Sequence, residues 1–216
     1  MNDTFETNNN FDLFIIGGGI NGAGIARDAS GRGLKICLAD KGKIGNATSS
    51  WSTKLIHGGL RYLENYDFKL VRESLKERDI IYHIANDISK ITPFIIPHSK
   101  KLRPALIIKI GLFLYDRIGG KTIIPKSKTI NIQKNYPNIL KSNFVKGFQY
   151  HDVQIDDKKL TQLNATDAQK NGALILEDIK VIKAERNIKN WKIYLKDGRT
   201  VKSKILINAS GPWVNE

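Results

Sequence analysis

A glycine-rich turn between two short apolar segments limits the fold of this chain more than any other feature. Phe11–Ile16 (FDLFII) predicts a buried strand, and Ile20–Ser30 carries small and apolar residues at helical spacing. Between them lies Gly17–Gly22 (GGGING), a G-x-G-x-x-G sequence. Leu34–Ala39 (LKICLA) then predicts a second strand. Strand, helix and strand in this order indicate a βαβ unit with a parallel sheet.

Each glycine of the turn has a physical reason to be glycine. Gly17 permits a tight turn, Gly19 allows the backbone to approach a pyrophosphate, and Gly22 allows the helix to pack on the sheet. The helix N-terminus adds free N–H groups and a partial positive charge. Asp40 follows the second strand, where a carboxylate can hold the ribose hydroxyls of FAD or NAD but not the phosphorylated ribose of NADP. The alternatives are a glycine turn without a ligand and an ordinary surface acid at Asp40.

A second stretch, Ala47–Leu63 (ATSSWSTKLIHGGLRYL), carries features that a nicotinamide enzyme does not need. Its clustered hydroxyls can donate to phosphate and ribityl groups, and its paired glycines allow close approach to a flat ring. Lys54, His57 and Arg61 add positive charge where a reduced flavin or a substrate phosphate would be stabilised. A satisfied buried histidine and an ion-paired arginine remain open as structural interpretations of His57 and Arg61.

Four segments together resemble one family, the FAD-dependent glycerol-3-phosphate dehydrogenases of respiratory chains. They are GGGINGAGIARDASGRGL, ATSSWSTKLIHGGLRYLE, LRPALIIKIGLFLYDRIGGK and NASGPWV, and the similarity extends from Asp12 to Val214. The resemblance implies an α/β chain with the Rossmann-like FAD-binding fold of the D-amino-acid-oxidase-like flavoproteins. The fold would be incomplete and would include part of a β-rich substrate domain. The chain departs from the family pattern at Asp40, where Glu is usual, and at Trp51, where a small residue is common.

The resemblance also implies a reaction. The enzyme would oxidise the C2 hydroxyl of sn-glycerol 3-phosphate to dihydroxyacetone phosphate, with the hydride passing to flavin N5 and the electrons then passing to membrane quinone. The alternatives are a related FAD-dependent oxidase of an amine or a hydroxy acid, a non-catalytic truncated remnant, and a basic surface-binding protein.

Site residues can be carried over by position from the same resemblance. The ADP half of FAD would be bound by Gly17, Gly19, Gly22 and Asp40. The pyrophosphate and ribityl chain would lie along Thr48, Ser49, Ser50 and Lys54, with Ser210 and Gly211 passing beside the pyrophosphate. Val181 would contact adenine through its backbone. The isoalloxazine ring would be approached by His57, Gly58 and Gly59. Arg61 and Tyr62 would face the substrate, with Arg61 the candidate for its phosphate, so the catalytic candidates are His57, Arg61 and Tyr62.

The charge of the chain suggests an anionic partner. The 216 residues carry a formal net charge of +14, which favours a phosphorylated substrate, an anionic lipid or nucleic acid. The excess is spread along the chain without a basic arm, so we expect no nucleic-acid binding. Lysine-rich composition alone is the alternative.

Cysteine usage and the apolar segments indicate the compartment. Cys37 is the only cysteine, which excludes an internal disulfide and fits a reducing compartment, and its place in a predicted strand favours the core. The N-terminal sequence lacks the basic start and apolar run of a signal peptide, and no apolar run reaches the roughly 18–20 residues of a spanning helix. We therefore expect a cytoplasmic protein that can lie on the inner face of the cytoplasmic membrane.

One basic apolar segment is the candidate for membrane contact. Lys100, Lys101, Arg103 and Lys109 flank the apolar side chains of Ala105–Tyr115. Such a helix can lie on an anionic membrane surface, or it can be half-buried with solvated lysines. Elsewhere His83, His98 and His151 show no metal-ligand spacing, so we expect no metal site.

The order of the segments predicts four regions. Residues 1–10 form a disordered leader, 11–90 the FAD-binding βαβ unit and flavin loop, 91–150 a partial substrate or cap region, and 151–216 a return to the FAD-binding domain, truncated at its end. The strand, Gly-Asp turn and second phosphate-binding arginine that the family places later are missing, which suggests a truncated product.

Further elements follow from periodicity and turn residues. Helices are predicted at Asp67–Ala85 with Asp67 as cap, at Arg103–Arg117, and from Asp156 or Asp157 to Gly172. Strands are predicted at Ile91–Pro97 as an edge, Val145–Tyr150, Ala173–Leu176, Val181–Arg186, Trp191–Leu195 and Thr200–Leu206, the last two joined by a turn at Asp197-Gly198. Thr122–Asn143 shows no clear period.

Overall fold

The computed structural model describes residues 10–99 and 101–215. Most of the predicted leader and Lys100 lie outside the described residues. The chain divides into two compact units, one formed by residues 1–53 and 156–216 and the other by residues 54–155. The functional division into four regions stays a prediction.

The first unit is built on a six-stranded mixed sheet in the order β7-β2-β1-β10-β9-β8. The strands are β1 (Asn10–Ile16), β2 (Ile36–Ala39), β7 (Leu174–Leu176), β8 (Val181–Arg186), β9 (Trp191–Leu195) and β10 (Thr200–Asn208). β7, β2, β1 and β10 are parallel, and β8, β9 and β10 form an antiparallel meander. The predicted βαβ unit and the hairpin around Asp197-Gly198 are confirmed.

Two helices cover one face of this sheet. They are α1 (Ile20–Gly31) and α5 (Asp157–Lys170). Alanines line both helices where they meet, and small side chains allow the close approach. On the opposite face Phe14 packs with Cys37 and Ile193, as the alternation of side chains along β1 requires. Asp156 caps α5 by accepting a hydrogen bond from the Lys159 N–H.

The second unit contains an antiparallel sheet in which β6 (Lys146–Ile155) pairs with three other strands. These are β3 (Leu55–Ile56), β4 (Ser89–His98) and β5 (Lys128–Asn131). β4 lies at the edge of the sheet, as predicted from its two prolines. β6 is longer than the predicted Val145–Tyr150. The segment without a clear period contains β5 and a single helical turn, α4 (Ile132–Asn135).

Two longer helices complete the second unit, α2 (Phe68–Ile84) and α3 (Ala105–Ile118). Val71, Leu75 and Tyr115 form its buried apolar cluster. The prediction that Asp67 caps α2 is only half right. Asp67 stands at the N-cap position, but its side chain makes no capping hydrogen bond.

Cys37 offers a direct test of the first unit. Its side chain is fully buried in β2, and burial raises the pKa of its thiol. We expect no reaction with a thiol reagent under native conditions and complete reaction in concentrated guanidinium, measured by absorbance of the released chromophore. Rapid native labelling would mean that β2 is not a central strand.

Candidate functional site

The glycine turn between β1 and α1 is crowded by backbone. Gly17 has φ of +103°, and a Cβ added to it would lie 2.6 Å from the carbonyl oxygen of Ala209, which directly follows β10. A Cβ at Gly22 would overlap the carbonyl oxygen of Gly17. Both positions therefore need glycine, as the sequence predicts.

The N-terminus of α1 is covered by a hydroxyl. Ser49 lies in a one-turn 3-10 helix, Thr48–Ser50, and its Oγ accepts the Ile20 N–H at 2.9 Å. The hydroxyl proton of Ser49 can then be donated to a phosphate oxygen at the same helix end. The Ser50 hydroxyl points elsewhere, to the carbonyl oxygens of Asn46 and Ala47.

Asp40 connects the end of β2 to the glycine turn. Its Oδ2 accepts the Gly18 N–H at 2.5 Å, and its Oδ1 accepts the Gly42 N–H at 2.7 Å. Each carboxylate oxygen has a second lone pair that can accept a hydroxyl. The carboxylate therefore orders two backbone segments and still presents acceptors to a ribose.

These groups line a cleft of about 710 Å³ in the first unit, a size typical of small-molecule sites. Eight of the predicted cofactor residues line it: Gly17, Gly19, Asp40, Thr48, Ser49, Val181, Ser210 and Gly211. The cleft lies at the carboxyl ends of β1, β2 and β10, where ligands bind in open parallel sheets. Gly22 and Ser50 are not among the lining residues.

Sequence reasoning missed several residues of the cleft wall. Trp213 and four lysines, Lys41, Lys43, Lys180 and Lys183, also line it. The Nζ of Lys41 lies 4.6 Å from the centroid of the Trp213 ring, within cation–π range. The NASGPWV segment is the sequence signal for Trp213, although the resemblance assigns roles only to Ser210 and Gly211 within it.

The remaining predicted residues lie in the second unit. Lys54 precedes β3 in a left-handed conformation (φ +56°), and its carbonyl oxygen accepts the Ile155 N–H at 2.9 Å. The loop of residues 57–59, named here the His-Gly-Gly loop, follows β3. Arg61 and Tyr62 come next, in the 3-10 helix Leu60–Asn65.

The His-Gly-Gly loop sets the tautomer of His57. Gly59 has φ of +70° and donates its N–H to Nδ1 of His57 at 3.0 Å. An Nδ1 that accepts a hydrogen bond is unprotonated, so the neutral ring carries its proton on Nε2. The imidazole is exposed, whereas Gly58 and Gly59 are buried. A buried structural histidine is therefore not what this structure shows.

Arg61 and Tyr62 are both exposed. Within the described part of the chain the guanidinium of Arg61 forms no ion pair. Nearby, Arg103 pairs with Glu64 at 2.5 Å, which leaves Arg61 as an available cation on this turn.

A metal-ligand group and a membrane-spanning helix are both absent from residues 10–99 and 101–215. No group of three or more metal-ligating side chains is found there. No helix among these residues is both long and apolar enough to cross a bilayer.

Comparison with known proteins assigns the family. The family model for FAD dependent oxidoreductases matches residues 12–216. The chain belongs to this family. A glycerol-3-phosphate dehydrogenase of Bacillus halodurans, solved in complex with FAD, has a similar structure with a TM-score of 0.71 and 28% identity. The similarity covers 95% of this chain and 35% of that one.

Two curated relatives of this oxidoreductase have different names. D-erythritol 1-phosphate dehydrogenase of Brucella abortus is 44% identical over 95% of this chain and 42% of its own length. Glycerol-3-phosphate dehydrogenase of Pseudomonas tolaasii is 46% identical over 94% of this chain and 40% of its own length. The chain thus spans about two fifths of the curated relatives it matches.

The glycine turn supplies a matched pair of substitutions. Gly22→Ala places a methyl group against the Gly17 backbone, and we expect it to lower the free energy of unfolding by about 1–3 kcal/mol and to abolish flavin retention. Gly24→Ala, in the same helix, meets nothing within 4 Å and should stabilise by about 0.5–1 kcal/mol. Thermal denaturation and the flavin absorbance that remains after gel filtration measure both effects. Equal flavin content in the two variants would contradict the assigned role of Gly22.

Proposed function

We propose that this chain forms the FAD-binding part of an enzyme that oxidises sn-glycerol 3-phosphate to dihydroxyacetone phosphate and delivers electrons to a quinone. The observation that carries the proposal is the cleft at the glycine turn, where backbone, hydroxyl and carboxylate groups converge on one space of about 710 Å³. The substrate is suggested by the name of the Pseudomonas tolaasii relative, at 46% identity.

The residues of the cleft fit the ADP half of FAD. Gly17 and Gly19 keep side chains away from the path of the pyrophosphate, and Ser49 together with the α1 N-terminus offers donors to it. Asp40 is the acceptor for ribose hydroxyls. Val181 and the lysines of the cleft wall would surround the adenine end. When bound, FAD supplies the hydride acceptor that oxidation of an alcohol requires.

The other half of FAD and the substrate are assigned to the second unit. The His-Gly-Gly loop would contact the isoalloxazine ring through its backbone. His57 would present its Nε2–H as a hydrogen-bond donor, because Nδ1 is engaged by Gly59. Arg61 would bind the substrate phosphate, for which a planar guanidinium is well suited, and Tyr62 would face the substrate from the same turn.

A longer polyol phosphate is a second candidate substrate. The Brucella abortus relative is named for D-erythritol 1-phosphate and is nearly as similar as the Pseudomonas one. Both names describe an alcohol that carries a phosphate, so Arg61 would serve either substrate. Parallel assays with the two compounds and an artificial electron acceptor distinguish them.

Arg61→Ala tests phosphate recognition. We expect kcat/KM for sn-glycerol 3-phosphate to fall by about 10- to 100-fold, because a charge-assisted hydrogen bond contributes roughly 1.5–3 kcal/mol. Steady-state kinetics on the protein from its complete reading frame, normalised to bound flavin, give the measurement.

Arg72→Ala is the matched control for this experiment. Arg72 is an exposed arginine on α2, and its removal should leave kcat/KM unchanged. Similar losses in both variants would point to a general charge effect. Turnover of an amine or hydroxy acid in place of both phosphates would favour the related-oxidase alternative. A colourless, inactive protein would favour the remnant.

We also propose that α3 rests on an anionic membrane surface, which would place a cytoplasmic protein at the inner face of the membrane beside the quinone pool. Leu112 and Tyr115 face the interior of the unit, whereas Leu106, Ile107, Ile110 and Phe113 are all more than half exposed. Lys101, Arg103 and Lys109 flank this apolar surface, and the Arg117 guanidinium lies 3.7 Å from the centroid of the Phe113 ring. Exposed apolar residues with a basic rim are typical of helices that bind anionic lipid.

Vesicle flotation tests the membrane proposal. We expect the protein to float with vesicles that contain phosphatidylglycerol and to remain behind with phosphatidylcholine alone, because the basic rim requires anionic headgroups. Ile110→Glu should reduce the bound fraction at least several-fold. Ile188→Glu changes a fully exposed isoleucine in the β8–β9 turn and should have no effect. Equal flotation of the two variants would refute a specific role for α3.

A further inference from the structure

A chain of hydrogen bonds runs from the His-Gly-Gly loop into the interior of the second unit. The Gly58 N–H donates to the hydroxyl oxygen of Tyr115 at 2.7 Å. That hydroxyl donates to the Asp152 carboxylate, at 2.8 Å from Oδ1 and 3.0 Å from Oδ2. Arg78 completes the chain, with Nη1 at 2.9 Å from Oδ1 of Asp152. The four residues come from the loop after β3, from α2, from α3 and from β6.

The chemistry of the side chains fixes which group donates and which accepts in each hydrogen bond of this network. Asp152 has only acceptors when ionised, and Arg78 has only donors. Tyr115 must therefore direct its proton at Asp152, which leaves its oxygen lone pair to accept the Gly58 N–H. Burial raises the pKa of the Asp152 carboxyl, and the hydrogen bonds from Arg78 and Tyr115 act against that rise. One arrangement satisfies all four groups.

Burial makes this arrangement costly to disturb. Arg78, Tyr115 and Asp152 are each no more than 4% exposed. No buried side-chain nitrogen or oxygen within the described ranges lacks a hydrogen-bond partner. Removing one partner from such a group leaves a buried donor or acceptor unsatisfied, which is far less favourable than the intact set. The network can therefore hold a loop in one position.

Packing also holds the His-Gly-Gly loop, on the side where Tyr115 lies. A Cβ added to Gly58 would overlap the side chain of Leu75 and would lie 2.8 Å from the Tyr115 hydroxyl oxygen. Tyr115 and Leu75 belong to the buried apolar cluster. The backbone of the His-Gly-Gly loop is thus seated directly on α2 and α3, with a hydrogen bond at the point of contact.

We propose that Tyr115, held by Asp152 and Arg78, is a positioning residue that sets the place of the His-Gly-Gly loop against the flavin ring. The inference rests on the proposed function, which assigns this loop to the isoalloxazine. Tyr115 itself lies behind the loop and acts through the Gly58 backbone. None of the three network residues was among the candidates from the sequence.

Tyr115→Phe tests the inference, and Tyr150→Phe is its matched control. The Phe ring keeps the packing of Tyr115 but removes the acceptor for Gly58. Tyr150 packs edge-on against Tyr115 with ring centroids 6.0 Å apart, and among the described residues its hydroxyl forms no hydrogen bond with any other group. Both variants therefore lose one hydroxyl from the same cluster, but only one disturbs the loop.

We expect Tyr115→Phe to retain FAD but to shift the visible flavin absorption bands and the flavin midpoint potential, whereas Tyr150→Phe leaves both unchanged. Turnover per bound flavin should fall by up to about 100-fold in Tyr115→Phe, since small misplacements of reacting groups have effects of that size. The loss should appear in kcat rather than KM, because Arg61 is untouched.

Asp152→Asn provides a second variant with the same shape. It keeps an acceptor for Tyr115 but removes one of the two carboxylates that Arg78 pairs with, the other being Asp79. We therefore expect a smaller spectral shift in the same direction. A lower melting temperature with an unchanged spectrum, potential and turnover in both Tyr115→Phe and Asp152→Asn would overturn the inference.

The spectral readout separates this inference from the proposed activity. A wild-type protein that binds FAD but oxidises no polyol phosphate would refute the proposed activity. The spectral shift of Tyr115→Phe would still support the positioning role. An unshifted spectrum together with normal polyol phosphate oxidation would refute the positioning role alone.

Discussion

The cleft of the first unit depends on the close approach of backbones at Gly17. A tight turn with positive φ ends β1, the first residue after β10 lies against it, and Gly22 of α1 packs on its carbonyl group. Any side chain at Gly17 or Gly22 would separate these three elements. Their contact brings the α1 N-terminus, the end of β2 and the segment after β10 to one edge of the sheet. The cleft is therefore a consequence of glycine at two positions, and the polar groups only complete it.

Ion pairs neutralise part of the positive charge around the cleft, so the net charge of +14 overstates the field there. Lys43 is paired with Asp178 at 2.7 Å, and Lys183 with Glu185 at 2.6 Å. Such exposed pairs contribute little to stability, but they reduce the field that a ligand would experience. Lys180, which lines the cleft, forms no ion pair with any described residue. Lys180 and the N-terminus of α1 therefore both contribute positive potential to the cleft.

Much of the first unit was predictable from the sequence because its signals are local. The apolar period of β1, the helical spacing of α1 and the Asp-Gly turn before β10 each depend on a few neighbouring residues. The pairing of β1 with β10 is different, because the register Leu13 to Ile205 joins residues far apart in sequence. Periodicity contains no information on such a partner. The same limit explains β5, whose four residues become a strand only by pairing with β6.

Residues of the cleft could be predicted where a sequence motif carries them, whereas the buried network of the second unit could not. Gly17, Gly19, Asp40 and Ser49 stand in segments whose chemistry is visible in sequence, and the structure brings them to one cleft. Tyr115 looks in sequence like one more apolar residue of α3, and Asp152 like a polar residue in a strand. Their hydrogen bonds appear only when α2, α3 and β6 place three buried polar groups around Gly58.

Buried charge in the second unit explains why the His-Gly-Gly loop can present backbone rather than side chains. The unit has a small apolar cluster with a buried Arg–Asp pair beside it. A buried ion pair often adds no stability over apolar residues of similar shape. What the pair adds is a unique direction for the Tyr115 hydroxyl. A fixed hydroxyl accepts one N–H at one position, so the loop needs no side chain of its own to hold it. Glycine at position 58 lets the loop backbone reach that hydroxyl, because a Cβ there would overlap the side chain of Leu75.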